Sequence, residues 1–292
     1  MKGELFYPER NFAALPPQYS ALDTSSVVVL PVPYDSTTDW RCGTRDGPMA
    51  IIDASQYLEH YDVELDRDVY RVGIHTLPEL QPSMSGPEET VERVRQAAGD
   101  LVGKGKFVVM LGGEHSITLG TVQAYKAVTP GLSVLQLDAH ADLRDEYEDS
   151  KYGHACVMRR VLEHCPVVQV GIRSLCREEH EFMQQRGLQP FFAGEASLDQ
   201  GTMDAVVAAL SEQVYITIDL DVFDPSIMAA VGTPEPGGMG WHEVLRLLRY
   251  VVQRTHVVGF DVVELCPAEG PSSCAYLAAK LAYKLIGYAI PS

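Results

Sequence analysis

The sequence has few basic residues and no long apolar run. Lysine and arginine together number 23, against 40 aspartates and glutamates, which gives a formal charge of −17 at pH 7. This charge aids solubility, disfavours nucleic acid and anionic membrane surfaces as partners, and suits a cationic substrate. The most apolar segment begins at Pro271, but Lys280 and Lys284 interrupt it, which predicts a largely buried helix. We therefore expect neither nucleic acid nor a membrane as a partner.

Patterns of paired cysteines are also lacking. The chain has no CxxC pair, and its six cysteines are scattered at Cys42, Cys156, Cys165, Cys176, Cys266 and Cys274. We interpret them as reduced thiols. The sequence begins MKGELFYPERNF, with acids and a proline where a signal peptide has an uninterrupted apolar stretch. Both observations predict a cytoplasmic protein.

Two kinds of segment alternate along the chain. The 292 residues are 46% hydrophobic and 22% charged, which allows a sizeable core and predicts one α/β domain over residues 1–292. Short β-branched runs, typical of buried strands, begin at Val27, Phe107, Leu132, Val167, Val214 and Val257. Segments of helical period begin at Pro87, Ser197 and Trp241. This alternation predicts a mostly parallel sheet covered by helices on both faces.

Acids and histidines follow four of the predicted strands. In an open parallel sheet, ligands bind beyond the carboxyl ends of the strands. The residues at these ends are Glu114, His115, Asp138, His140, Asp142, Asp219, Asp221 and Glu264. In DAHAD, the alternation of a continuing strand would point Asp138, His140 and Asp142 to one side. The motif DLD repeats the pattern with Asp219 and Asp221.

This concentration of carboxylates predicts a metal site, because bound cations offset the repulsion and lost solvation of clustered acids. Carboxylate and imidazole ligands without thiolate favour Mn²⁺, with Fe, Co, Ni or Zn as alternatives. Two ions bridged by carboxylates can accommodate six ligands and activate a shared water. The predicted ligands are His115, Asp138, His140, Asp142, Asp219 and Asp221. Taken singly, DLD also suits a helix cap, and the histidine of GGEHS suits a backbone hydrogen bond.

Several motifs resemble the ureohydrolase family, which includes arginase, agmatinase and related guanidino-acid hydrolases. They are GGEHSIT, LDAHADLRD, and DLDVFDPS followed by GTPEPGG, and they lie in the family's order and spacing. The resemblance extends from about Pro31 to Pro267. It implies a three-layer α/β/α fold of the arginase type, two manganese ions per subunit, and assembly into homotrimers or homohexamers.

The same resemblance implies roles for individual residues. One ion would be held by His115, Asp138, Asp142 and Asp219, and the other by Asp138, His140, Asp219 and Asp221. A hydroxide shared by the ions would attack the guanidinium carbon and yield urea and an amine. Glu264 would grip the guanidinium, Asp142 would pass a proton to the leaving amine, and His154 would shuttle protons. From spacing alone, Glu264 also suits an ordinary strand-end acid, and His154 a helix-start histidine with a local hydrogen bond.

The substrate is predicted to be a small cationic guanidino compound. The segments KYGHACVMRR and GTPEPGG resemble agmatinase more than arginase, which favours agmatine, with putrescine and urea as products. Alternatively, loop residues Arg41, Arg45 and Arg173 could meet the carboxylate of guanidinobutyrate, guanidinopropionate or arginine. An alternative of another class is a catalytically silent, metal-binding regulatory relative. The presence of all six ligands counts against it.

Overall fold

Residues 10–38, 40–194 and 198–291 are described by the computed structural model. The strands in this part of the chain are β1 (Val27–Val32), β2 (Tyr61–Asp62), β3 (Arg67–Asp68), β4 (Ile74–Thr76), β5 (Phe107–Gly112), β6 (Leu132–Leu137), β7 (Val167–Ile172), β8 (Phe191–Phe192), β9 (Gln213–Asp219) and β10 (His256–Val263). The α-helices are α1 (Pro17–Ser20), α2 (Gly47–Ser55), α3 (Pro87–Val102), α4 (Thr118–Lys126), α5 (Val157–Val161), α6 (Arg177–Arg186), α7 (Gln200–Ala209), α8 (Trp241–Val252) and α9 (Ser273–Ala289).

Eight strands form the main sheet, in the order β4-β1-β5-β10-β9-β6-β7-β8. Every neighbouring pair in it is parallel, and only the small β2–β3 hairpin is antiparallel. Parallel strands need crossover connections, and the helices supply them. All six predicted strands are present, so the parallel α/β prediction is confirmed.

Helices cover both faces of the sheet. Along β1, Val27 and Val29 pack into one core with residues of α2, α7, α8 and α9. The alternate residues Val28 and Leu30 pack into a second core with residues of α3, α4, α5 and α6. Strand residues alternate between the two faces, and a strand buried on both must be apolar throughout. This explains why the β-branched runs are continuous and confirms the three layers.

Helices α7 and α9 correspond to two segments predicted from the sequence. The segment of helical period from Ser197 starts among residues 195–197, which lie outside the described residues. Helix α7 begins at Gln200, and Asp199 caps it by accepting the Thr202 N–H at 2.8 Å. The apolar C-terminal segment forms α9, whose buried Lys284 pairs with Asp62 at 3.0 Å. Among the described helices, none has the length and apolarity needed to cross a membrane.

The turn after β5 depends on a glycine. A Cβ placed on Gly113 would lie 1.9 Å from the Tyr34 carbonyl oxygen, so the two backbone segments can meet only if residue 113 has no side chain. We expect Gly113→Ala to lower the free energy of unfolding by at least about 3 kcal/mol, the upper end for single substitutions. Denaturant unfolding measures this.

The matched control for this prediction is Gly99→Ala in α3. An added Cβ at Gly99 meets only the Ala124 Cβ, at 4.0 Å. Alanine is the better helix former by about 1 kcal/mol, so this variant should be at least as stable as the wild type. Equal stability of Gly113→Ala and the wild type would show that the turn has room for a side chain.

Candidate metal centre

The acids and histidines singled out from the sequence lie at one edge of the sheet. They follow β5, β10, β9 and β6, which are adjacent in the strand order. The carboxyl ends of parallel strands meet at the same edge, so residues distant in the chain become neighbours. The structure thus brings together the six predicted ligands, and each of them except His140 is buried.

His115 forms the first half of the cluster. It begins a short 3-10 turn directly after β5. Its Nδ1 atom lies 3.0 Å from Asp138 Oδ2, 3.1 Å from Asp142 Oδ2 and 3.5 Å from Asp219 Oδ2. One ligand atom each from His115, Asp138 and Asp219 lie within 4.8 Å of one another, a spacing that could hold one ion.

His140 forms the second half. Its Nδ1 atom lies 2.8 Å from Asp221 Oδ2 and 3.7 Å from Asp138 Oδ1. Ligand atoms of Asp138, His140 and Asp221 again lie within 4.8 Å of one another. Asp138 belongs to both groups, as expected of a bridging carboxylate. Asp219 joins only the first group, whereas the family resemblance implies that it bridges as well.

Turns, and not the predicted continuation of the strands, aim these side chains. Strand β6 ends at Leu137, and Asp142 has a left-handed backbone with φ of 54°. Asp138 Oδ1 accepts the N–H of His140 at 2.6 Å, and Asp219 Oδ1 accepts the N–H of Asp221 at 2.9 Å. Short aspartate side chains favour such local turns. The expectation that strand alternation continues through DAHAD and DLD is therefore wrong, although the side chains still converge.

The carboxylates and histidines of the cluster change one another's pKa values. Burial raises the pKa of Asp138 to about 7, and the charges of Asp221 and Asp142 act in the same direction. Burial opposes protonation of His140, but the adjacent Asp221 and Asp138 carboxylates raise its pKa to about 11. Burial likewise opposes protonation of His115, yet its aspartate neighbours raise its pKa well above the usual value. Both histidines are driven towards a positive charge by the carboxylates around them, and these carboxylates would equally attract a bound cation.

One buried atom tests whether a metal ion fits. His115 Nδ1 has no partner in hydrogen-bond geometry among the described residues, although three carboxylate oxygens lie within 3.5 Å of it. A buried polar atom without a partner is unfavourable by about 1–3 kcal/mol. A cation between this nitrogen and the carboxylates would satisfy it, and the nitrogen and oxygen ligands suit a divalent metal such as manganese.

Comparison with known proteins agrees with this chemistry. The model of the arginase family matches residues 25–287. The chain belongs to the arginase family. It is a ureohydrolase of that family, as the sequence motifs predicted, and the arginase-type fold is confirmed.

Relatives of known name lie within this family. The chain is 42% identical over 272 residues to the N(1)-aminopropylagmatine ureohydrolase of Synechocystis sp., covering 90% of this chain and 89% of that protein. It is 36% identical to the agmatinase of Pyrococcus horikoshii, covering 97% and 98%. Its fold matches the crystal structure of the agmatine ureohydrolase of Thermoplasma volcanium with a TM-score of 0.87 at 31% identity, covering 97% and 95%.

Glu264, predicted from the family resemblance to bind the guanidinium, lies at the carboxyl end of β10 beside the metal-ligand cluster. It follows β10 and has a φ of 68°, a strained value for a residue other than glycine. Its Oε1 atom accepts the backbone N–H of His115 at 2.6 Å. Burial, and then the charge of Glu114, raise its pKa well above the usual value. The carboxylate faces a cavity of about 290 Å³, which Asp142 and His154 also line. A cationic guanidinium there would favour the ionised form.

His154 stands at the wall of the same cavity. It starts a 3-10 turn, and its N–H donates to Thr37 Oγ1 at 3.1 Å. The same hydroxyl lies 3.3 Å from its Nδ1 atom, and the Tyr147 ring packs edge-on at 6.0 Å. The local hydrogen bond of a helix-start histidine is therefore present. It leaves the imidazole in the cavity wall, where its proton-shuttling role stays a prediction.

The three loop arginines considered for an acidic substrate all contact protein groups, and of the three only Arg41 also lines the cavity in the described part of the chain. Arg41 pairs with Glu269 at 3.2 Å, and Arg45 pairs with the buried Asp35. Arg173 donates to the backbone carbonyls of Asp221, at 2.6 Å, and Glu235, at 2.8 Å. These contacts hold loops in place, which weakens the case for a substrate carboxylate at any of the three.

Sequence reasoning missed two polar residues of the centre, Thr217 and Asp261. His115 Nε2 lies 2.8 Å from Thr217 Oγ1, which donates to Asp261 Oδ1 at 2.6 Å. Both residues are fully buried. The available signal was an aspartate inside the apolar run VVGFDVV, because a charged residue in a buried strand needs a partner.

Proposed function

We propose that this ureohydrolase holds two manganese ions and releases urea from a cationic guanidino compound. The proposed ligands are His115, Asp138, His140, Asp142, Asp219 and Asp221. The observation that carries the proposal is the buried His115 Nδ1, which lacks a hydrogen-bond partner in the described residues and faces carboxylate oxygens of Asp138 and Asp142. Family membership supports the same chemistry.

The side chains around the cavity suit hydrolysis of a guanidino group. When bound, a pair of divalent ions supplies Lewis-acid activation of water near neutral pH. Glu264 binds the planar guanidinium and orients it, because a carboxylate can accept two parallel N–H bonds. Asp142 passes a proton to the leaving nitrogen, and His154 exchanges protons between cavity and solvent. One water is consumed as the carbon–nitrogen bond breaks and a carbon–oxygen bond forms, which yields urea and an amine.

His154→Ala should slow turnover and leave the metal content unchanged. The imidazole moves protons and is not among the proposed ligands, so we expect a loss in kcat of about 100-fold, the lower range for a general acid–base group. Urea release and metal analysis on the same preparation measure both quantities. The matched control is the exposed His164, whose replacement by alanine should change neither. Wild-type kcat in His154→Ala would remove this residue from the mechanism.

For the substrate, we propose an agmatine-type amine. Agmatine is the expectation from the sequence motifs, with putrescine as the second product. The 42% identical relative from Synechocystis sp. is named for N(1)-aminopropylagmatine, and this favours the longer amine over agmatine. Both carry a cationic far end. The engagement of Arg41, Arg45 and Arg173 by protein groups supports an amine over an acid.

One observation keeps an acidic substrate as the second candidate. Arg144 lines the cavity and stacks on the Tyr147 ring at 4.6 Å. The nearby Asp145 pairs with Arg159 and Arg160. Among the described residues Arg144 forms no ion pair, so its charge can meet an anion in the cavity. Guanidinobutyrate, guanidinopropionate or arginine would present such a carboxylate.

Urea release tests these candidates directly. Purified protein loaded with Mn²⁺ is assayed with agmatine, N(1)-aminopropylagmatine, guanidinobutyrate, guanidinopropionate and arginine at equal concentration. We expect urea from the first two, with N(1)-aminopropylagmatine giving the larger kcat/KM. Urea from guanidinobutyrate alone would favour the acidic class and assign Arg144 as its counter-ion. No urea from any substrate would favour the catalytically silent regulatory relative.

We propose that residues 1–292 form one domain, that the protein works in the cytoplasm, and that it assembles into homotrimers or homohexamers. The first is supported by the eight-stranded main sheet, whose strands run from β1 near the start of the described chain to β10 near its end. The other two rest on the sequence composition and on the family resemblance.

A further inference from the structure

A buried chain of hydrogen bonds leads away from the metal centre into the sheet. His115 Nε2 lies 2.8 Å from Thr217 Oγ1, and Thr217 Oγ1 lies 2.6 Å from Asp261 Oδ1. Thr217 on β9 and Asp261 on β10 are directly paired in the strand register, which holds them side by side. This chain of hydrogen bonds therefore joins the His115 imidazole to the Asp261 carboxylate across two neighbouring strands.

The direction of these hydrogen bonds follows from the groups around Asp261. Its carboxylate also accepts hydrogen bonds from Thr118 Oγ1 at 2.9 Å and from Tyr215 OH at 2.8 Å. An ionised carboxylate only accepts, so the Thr217 hydroxyl directs its single proton to Asp261. The Thr217 oxygen can then only accept from His115, which requires the proton of the neutral ring to be on Nε2. The lone pair is left on Nδ1, the atom that faces Asp138.

We propose that Thr217 and Asp261 are positioning residues that fix His115 in the tautomer able to bind a metal ion through Nδ1. The inference rests on the proposed function, since it presumes an ion at this site. Partners behind a metal-binding histidine fix its tautomer and orientation, and their loss lowers metal affinity by about 10–100-fold. A purely structural role would instead lower stability and leave metal affinity unchanged.

The effect should be confined to one of the two ions. His140, the other imidazole of the centre, has its Nδ1 beside Asp221 and is 26% exposed at the side chain, and it is not part of the chain through Thr217. Loss of the Thr217 hydroxyl should therefore weaken the site that contains His115 and spare the site that contains His140.

The test is a Mn²⁺ titration of the metal-free protein, followed by the electron paramagnetic resonance signal of the free ion. Thr217→Val replaces the hydroxyl with a methyl group of similar size, and Thr217→Ser keeps the hydroxyl. We expect Thr217→Val to weaken one of the two sites about 10–100-fold and to leave the other unchanged. Thr217→Ser should stay within about threefold of the wild type at both sites.

A control and a second variant separate this role from folding. Ser133 lies at the opposite end of β6, where its buried hydroxyl accepts the Ser211 N–H at 3.0 Å. Ser133→Ala should lose stability and bind both ions normally. Should Thr217→Val not fold, Asp261→Asn serves instead. Asparagine keeps the shape of the carboxylate, but its amide can donate as well as accept, so it no longer forces the Thr217 hydroxyl to donate. We expect this variant to weaken the same site about 10-fold.

Each outcome decides the proposal. Wild-type affinity at both sites in Thr217→Val, or in Asp261→Asn where that variant is used, would overturn it. Equal weakening in Thr217→Ser and Thr217→Val would also overturn it, because the hydroxyl would then not be the cause. A wild-type protein that binds no Mn²⁺ would instead overturn the proposed function, so the two failures are distinct.

Discussion

Asp138→Asn is expected to abolish urea release and to lower the metal content of the protein. Asp138 is the one residue whose ligand atoms belong to both groups of the centre, with one oxygen 3.0 Å from His115 Nδ1 and the other 3.7 Å from His140 Nδ1. An amide carries no negative charge and binds a hard cation weakly through a single oxygen. We expect kcat to fall by more than about 1,000-fold, beyond the loss of a single transition-state contact.

Metal analysis and urea release on one preparation measure this prediction. The matched control is Asp199→Asn, because asparagine caps a helix as well as aspartate does and Asp199 stands at the start of α7. That variant should keep full metal content and activity. Unchanged metal content in Asp138→Asn would refute the assignment of this residue as a bridging ligand.

Glu264→Gln has the second largest expected effect. Its amide oxygen can still accept the His115 N–H, now 2.6 Å from Glu264 Oε1, so the turn at His115 should survive. The variant loses the negative charge that binds the guanidinium, and charge-assisted hydrogen bonds are about twice as strong as neutral ones. We expect kcat/KM to fall by about 100- to 1,000-fold, with both ions retained.

Steady-state kinetics with metal analysis separate an effect on guanidinium binding from an effect on metal binding. The control is Glu163→Gln, which removes the charge of an exposed acid paired with Arg160 and should leave kcat/KM unchanged. Thermal stability of Glu264→Gln should equal or exceed that of the wild type, because a buried carboxylate is replaced by a neutral group. A Glu264→Gln enzyme with wild-type kcat/KM would place the guanidinium elsewhere in the cavity.

Much of the fold could be predicted because its physical signal is local. A strand buried on both faces must be apolar throughout, so β1, with its run VVVLPV, is recognisable without neighbours. The order of the strands in the sheet cannot be predicted from such local patterns. That β10 lies between β5 and β9 depends on how the helices pack, and no segment of the chain records it alone.

The candidate site was predictable in its ligand residues but not in its geometry. Asp138, His140 and Asp142 were expected to converge through the alternation of a strand, and they converge through turns instead. The reason is that Asp138 accepts the backbone N–H of His140, which bends the chain directly after β6. Such a hydrogen bond from side chain to backbone competes with strand pairing, and it cannot be recognised from the periodicity of the sequence.

Residues behind the metal centre were missed for a related reason. Thr217 and Asp261 lie on different strands, and their significance arises only when β9 and β10 pair. The partners of the loop arginines likewise become apparent only in the folded chain. Arg41, Arg45 and Arg173 invited a role in substrate binding, but the folded chain supplies Glu269, Asp35 and backbone carbonyls as their partners.

The most direct test of the metal centre is anomalous X-ray diffraction from crystals grown with Mn²⁺, collected on either side of the manganese absorption edge. We expect two peaks roughly 3.5–4 Å apart, the usual spacing of paired catalytic metals, with Asp138 in contact with both. One peak should adjoin His115 Nδ1 and the other His140. A single peak, or two peaks away from these histidines, would contradict the proposed two-ion centre.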